Sequence, residues 1–184
     1  LVPNYSFEQK TGCPNGQGQI NLSTGWFKVS SSSSTEDYYN SCFQNSCCLN
    51  IPSNTNYFFQ EEYRNCNAYV GLYTWSQSIP NYREQIGIEL DSTLMIGTRY
   101  YLSFLIVNRG ARTGINYNEC PSNNMGIRLT NTLYSSSNPA PIDNFSHLKV
   151  DSAISDTLNW YRITGSIIAD SAYKYIICLL YTSP

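Results

Sequence analysis

Residues 68–90, AYVGLYTWSQSIPNYREQIGIEL, carry the clearest hydrophobic pattern of the chain. Ala68, Val70 and Leu72 alternate with Tyr69, Gly71 and Tyr73, and Ile86, Ile88 and Leu90 alternate with Arg83, Gln85, Gly87 and Glu89. A period of two is that of a half-buried strand, which makes Val70, Leu72, Ile86 and Ile88 candidate core. Between the two runs Trp75, Tyr82, Arg83 and Glu84 crowd a loop, where a rigid scaffold would present them to a ligand.

The pattern recurs along the chain. Residues 1–8, LVPNYSFE, suit a first or edge strand with Pro3 near its start. Trp26 and Phe27 open another strand, and residues 57–63 and 125–130 are further candidates. Residues 99–107 form the strongest run: Tyr100, Leu102, Phe104 and Ile106 share one side and Tyr101, Leu105 and Val107 the other, as in a central strand buried on both faces. Residues 160–168 and 173–180 read as a last hairpin. The Ser-rich run 30–35 reads as an exposed loop. With Gly-, Asn- and Pro-rich segments between the runs and no amphipathic helix, about nine strands predict an all-β fold, a β-sandwich with jelly-roll topology.

Composition sharpens this picture. The 184 residues allow one domain. Aromatic residues are 14% of the chain and charged ones 13%, about half the usual charged share. A net charge of −2 gives no electrostatic footprint for nucleic acid or an anionic membrane. No apolar run reaches the length of a spanning helix. The seven cysteines, Cys13, Cys42, Cys47, Cys48, Cys66, Cys120 and Cys178, lack Cys-x-x-Cys knuckles and sit in polar loops, so disulfides in an oxidising compartment are expected. Adjacent Cys47 and Cys48 would reach different partners.

Catalytic signatures are missing. The single histidine, His147, has no nucleophile motif beside it, and neither a metalloprotease motif nor a phosphate-binding loop is present. Glu61, Glu62, Glu84 and Glu89 leave a glycosidase as a minor possibility. Sugar binding needs only an aromatic platform with a few polar groups beside it. Trp75, Tyr73, Tyr82, Arg83, Glu84, Asp37, Tyr38 and Asn40 supply both.

Several motifs occur in a fixed order: LVPNYSFE at 1–8, CP at 13–14, GW at 25–26, DYYNSC at 37–42, NAYVGLY at 67–73, NYREQI at 81–86, YYLSFLI at 100–106 and NW at 159–160. Over most of the chain this order resembles the galactose-binding-like jelly-roll modules of exported bacterial surface proteins. Such modules are often fused to gliding-motility, adhesin or outer-membrane anchoring domains and are regarded as carbohydrate-binding. The resemblance implies an extracellular or cell-surface location and a non-catalytic glycan-binding role. The alternative is a structural or adhesive module contacting proteins, neighbouring domains or sister chains. The resemblance also implies a structural calcium, for which the acid of the opening segment, Glu8, would be a ligand. The family pattern continues into a further strand where this chain ends, so residues 178–184 read as a truncated or foreign tail that leaves an open sheet edge. Setting Cys178 aside leaves six cysteines, and Cys13 with Cys42, both beside family motifs, is the first expected pair.

Overall fold

A computed structural model describes residues 1–30, 33–43, 66–74, 79, 82–108, 123–141, 143, 145–156 and 159–180. The described part is all-β. In chain order the strands are β1 (Trp26–Lys28), β2 (Asp37–Asn40), β3 (Ala68–Gly71), β4 (Ile86–Glu89), β5 (Arg99–Ile106), β6 (Met125–Thr130), β7 (Leu148–Lys149), β8 (Tyr161–Ile168) and β9 (Tyr175–Leu180). Among the described residues the helical content is one 3₁₀ turn, Ile20–Leu22.

Every strand pairing is antiparallel. A five-stranded sheet has the order β1-β4-β9-β6-β7, while β2 pairs with β3 and β5 pairs with β8. Ile86, Ile88 and Leu90 point to the main core with Trp26, Ile127, Leu129 and Ile176, as the alternation of residues 86–90 implies. Val70, Leu72, Tyr100, Phe104 and Ile167 close that core from the opposite side, which gives a sandwich-like arrangement of two layers.

The second face of the five-stranded sheet is covered too. Val29, Ile177 and Leu179 pack there with Ala140, Phe27 and Tyr134. Gly87 is required on this face: a Cβ there would lie 2.6 Å from Phe27 Cε2 and 2.8 Å from Val29 Cγ2. A third cluster is aromatic. Tyr39 and Tyr69, directly opposite across β2 and β3, stack at 4.8 Å, and Trp160 meets Tyr69 edge-on at 5.8 Å.

Four expectations are corrected. Residues 1–8 form turns and no strand, because Asn4 and Phe7 adopt positive φ (44° and 63°). The Asn4 side chain fixes this path: its Nδ2 donates to Gln9 O, Ser23 Oγ and Thr24 O, and its Oδ1 accepts from Gln9 N. The strands near 161–168 and 175–180 exist, yet they do not pair with each other. The apolar run of β9 needs cover on both faces, and it lies between β4 and β6, with Cys178 opposite Ile86 and Ile127. Residues 178–180 therefore form the middle of the sheet and no open edge arises there. β8, which alternates apolar with polar positions, pairs with β5 instead.

The third correction concerns β5, which is not buried on both sides: Arg99, Tyr101 and Ser103 face outward. The fourth concerns the Ser-rich run, where Ser30 and Ser34 are internal. The candidate strand at 57–63 lies outside the described residues.

Candidate functional site

Of the residues the sequence singles out for ligand contact, Trp75 lies outside the described residues, and Tyr73 is 40% exposed. Tyr82 is half-buried. The rest are interior: Glu84 is 1% exposed, Asp37 2%, and Tyr38, Asn40 and Arg83 are buried as well. Their polar groups are directed at the protein's own loops.

Glu84 works as a clamp. Its Oε1 accepts from Thr35 N (2.7 Å), Thr35 Oγ1 (3.0 Å) and Tyr82 OH (3.0 Å), and its Oε2 from Tyr73 N (2.7 Å). Desolvation raises its pKa; the N–H donors of Tyr73 and Thr35 oppose the rise and the charge of Glu36 adds to it. The neighbouring Glu36 is held by the hydroxyls of Ser30 (2.5 Å) and Ser34 (2.8 Å), with Lys28 Nζ 3.6 Å from its other oxygen. The serines that look like linker are thus the donors that make a buried carboxylate tolerable.

Asp37 Oδ1 accepts from Gly18 N at 2.8 Å. Burial pushes its pKa up from 3.8 to about 7, against the Gly18 donor and with help from Glu84 and Glu36. Next along β2, Tyr38 OH donates to Phe7 O, Asn40 Nδ2 donates to Tyr38 OH, and Asn40 Oδ1 accepts from Cys42 N. Glu8 accepts the N–H of Asn67 at 2.5 Å. Among the described residues no group of three or more His, Cys, Asp or Glu side chains is placed to hold a metal ion.

Cys13 and Cys42 form a disulfide with Cα atoms 5.8 Å apart, which ties the connection before the 3₁₀ turn to the end of β2. Cys47, Cys48 and Cys120 lie outside the described residues, and Cys66 is half-buried just before β3. The Cys178 thiol is free, and desolvation pushes its pKa up to about 12. His147 is a structural link: its Nδ1 accepts from Leu129 N (3.0 Å) and its Nε2 lies 3.0 Å from Tyr173 OH, which donates to Asp170 at 2.6 Å.

Among the described residues, the outer face of the β5–β8 ribbon is exposed. Register places Tyr101 opposite Ser166 and Ser103 opposite Thr164. These residues, with Arg162, Leu102 and Gly165, line a shallow groove of about 480 Å³. Tyr101 is 82% exposed, so its ring contributes little to the core and is free to stack on a flat partner. Sequence reading missed this face because it assigned Tyr101 to a buried side; the signal was Arg99 and Ser103 at the positions two residues away on the same face.

The fold class is that of an all-β protein of packed antiparallel layers, with one disulfide among the described residues. No family model matches the sequence, and no curated protein matches it. Among solved structures the chain is similar to the crystal structure of a cyclase from Fischerella sp. TAU in complex with 4-(1H-indol-3-yl)butan-2-one. The TM-score is 0.57 at 16% identity, over 97% of this chain and 85% of that one. At that identity the likeness concerns the fold alone.

Proposed function

We propose that the protein is a non-catalytic carbohydrate-binding module of jelly-roll type, carried by an exported cell-surface protein, and that glycan lies along the outer face of β5 and β8. One observation carries this reading. An exposed aromatic ring, Tyr101, stands in a shallow groove lined also by the hydroxyls of Ser103, Thr164 and Ser166, the side chains of Leu102 and Arg162, and Gly165. A pyranose presents a C–H face to stack on such a ring and hydroxyls to bond with the rest. Among the described residues that line the groove there is no Asp, Glu or His. The disulfide agrees with an oxidising compartment, and among the described residues no helix is long and apolar enough to cross a membrane.

The test is a glycan array and affinity electrophoresis with the wild type, Tyr101→Ala and Trp75→Ala. Loss of binding in Tyr101→Ala alone supports the groove, whereas loss in Trp75→Ala alone moves the site to the 73–84 loop. A structural calcium with Glu8 as a ligand belongs to the same reading; if it is present, EDTA lowers the melting temperature of the wild type and leaves Glu8→Gln unchanged.

A further inference from the structure

β7 is two residues long and stands last in the order of the five-stranded sheet. Its chain is tied to β6 by His147 N donating to Ile127 O and Val150 N donating to Met125 O, each at 2.9 Å. Where the ladder stops, the His147 side chain continues it, because Nδ1 accepts the N–H of Leu129 at 3.0 Å. An accepting Nδ1 puts the ring proton on Nε2, which donates to Tyr173 OH, and Tyr173 in turn donates to Asp170. Phe145 and Tyr173 each meet the ring edge-on at 4.9 Å, which limits its reorientation.

A proton added at Nδ1 turns this acceptor into a donor facing another donor, and the bond from Leu129 is lost. The charged groups around the ring are Asp170, Arg128 and Asp143, the last bound to Arg128 at 2.6 Å. On β7 itself Lys149 pairs with Asp151 at 3.0 Å. Hydrogen bonds hold the pKa values of Asp143 and Asp170 below 3.8, and Tyr173 is pushed up to about 12. Desolvation keeps His147 below 6.5, with Asp170 opposing and Arg128 adding, so the histidine is the member of this cluster that titrates in mild acid.

The next residue, Leu148, lies beneath the groove. A Cβ at Gly165 would come 2.5 Å from Leu148 Cδ1, so the leucine fills the space against the inner side of β8 at that point. Gly165 lines the groove between Thr164 and Ser166. Resting on the glycan-binding reading above, we infer that protonation of His147 frees β7 from β6, withdraws Leu148 from beneath Gly165 and so releases glycan from the outer face of β5 and β8.

The experiment is affinity electrophoresis at pH 5 and pH 7.5 in gels containing the uncharged polysaccharides xyloglucan, galactomannan or mixed-linkage β-glucan. Amide hydrogen exchange, corrected for intrinsic rates, is measured at the same two pH values. Wild type, His147→Asn and Leu148→Ala are compared; asparagine offers Leu129 an acceptor that does not titrate. Asp37 titrates in the same range, so wild type is read against His147→Asn, which keeps Asp37. In wild type at pH 5, binding should be several-fold weaker and exchange at the Leu129 amide several-fold faster. His147→Asn should show neither change, and Leu148→Ala should show the exchange change without a further loss of binding. Leu129 exchange that responds to pH while wild-type binding does not overturns the coupling and leaves the glycan reading standing. An equal acid loss of binding in His147→Asn overturns the role of the histidine. No retardation in any gel at pH 7.5 overturns the glycan reading and the release together, and Leu129 exchange unaltered by pH overturns the opening of β7.

Discussion

Asp37 is a carboxylic acid placed where its charge is costly, and replacing it with asparagine measures that cost. In the folded protein burial holds its pKa at about 7, whereas an unfolded chain titrates near 3.8. Below pH 3.8 both states are protonated and Asp37 is neutral to stability. As pH rises the unfolded state gives up its proton first, so stability is lost progressively until the folded pKa is passed. Three pH decades at about 1.4 kcal/mol each give an upper bound of about 4 kcal/mol, fully present above pH 7. An asparagine side chain at this position would keep an oxygen to accept the Gly18 N–H and would carry no charge. Asp37→Asn is therefore expected to match the wild type at pH 4 and to be more stable at pH 8 by roughly 2–4 kcal/mol, discounting for relaxation of the site. Urea denaturation at pH 4, 5.5 and 8 reads this as a difference in midpoint that opens with pH at constant slope. A variant less stable than wild type at pH 8, or a gap of the same size at pH 4 and pH 8, would refute the reasoning.

Other residues give equally direct tests. Glu84→Gln must turn its amide nitrogen toward either the Tyr73 N–H or the Thr35 donors; it should cost about 2–3 kcal/mol in denaturant and speed hydrogen exchange at the amide left facing it. His147 has its pKa lowered, chiefly by desolvation, and its Nδ1 must stay unprotonated to accept from Leu129. The unfolded chain therefore takes up this proton first, and stability should fall as pH drops through 6.5, a slope that disappears in His147→Gln. Gly165→Ala would put a Cβ 2.5 Å from Leu148 Cδ1 on the inner side of β8. It should cost about 1–3 kcal/mol and weaken glycan binding in the groove above, with both effects relieved by Leu148→Ala.

Some of this architecture is legible in the sequence and some is not, for reasons that differ by residue. Ile86, Ile88 and Leu90 are legible because an apolar period of two has one physical solution when a single core exists. β9 is legible as a strand but not as the middle one, since its place depends on which neighbours cover its two faces. Asp37 and Glu84 read as ligand contacts because nothing local announces that Gly18, Thr35 and Tyr73 will converge on them, as Ser30 and Ser34 do on Glu36. A buried carboxylate is defined by its partners, and these come from distant loops.

The same logic separates the loop around residues 68–90, where the sequence places recognition, from the groove on β5–β8, where the proposed glycan lies. Aromatic and charged residues in a loop look like recognition elements, yet a loop that must hold its shape without ladder hydrogen bonds needs internal polar anchors, and Glu84, Tyr82 and Thr35 are spent on that task. A strand's shape is held by its ladder, as β5 and β8 pair in antiparallel register from Arg99 opposite Ile168 to Ile106 opposite Tyr161. Its outer side chains are thereby released from structural duty. Tyr101, Ser103 and Thr164 stand on that ladder with their side chains outward, which suits the ribbon face to the ligand proposed above.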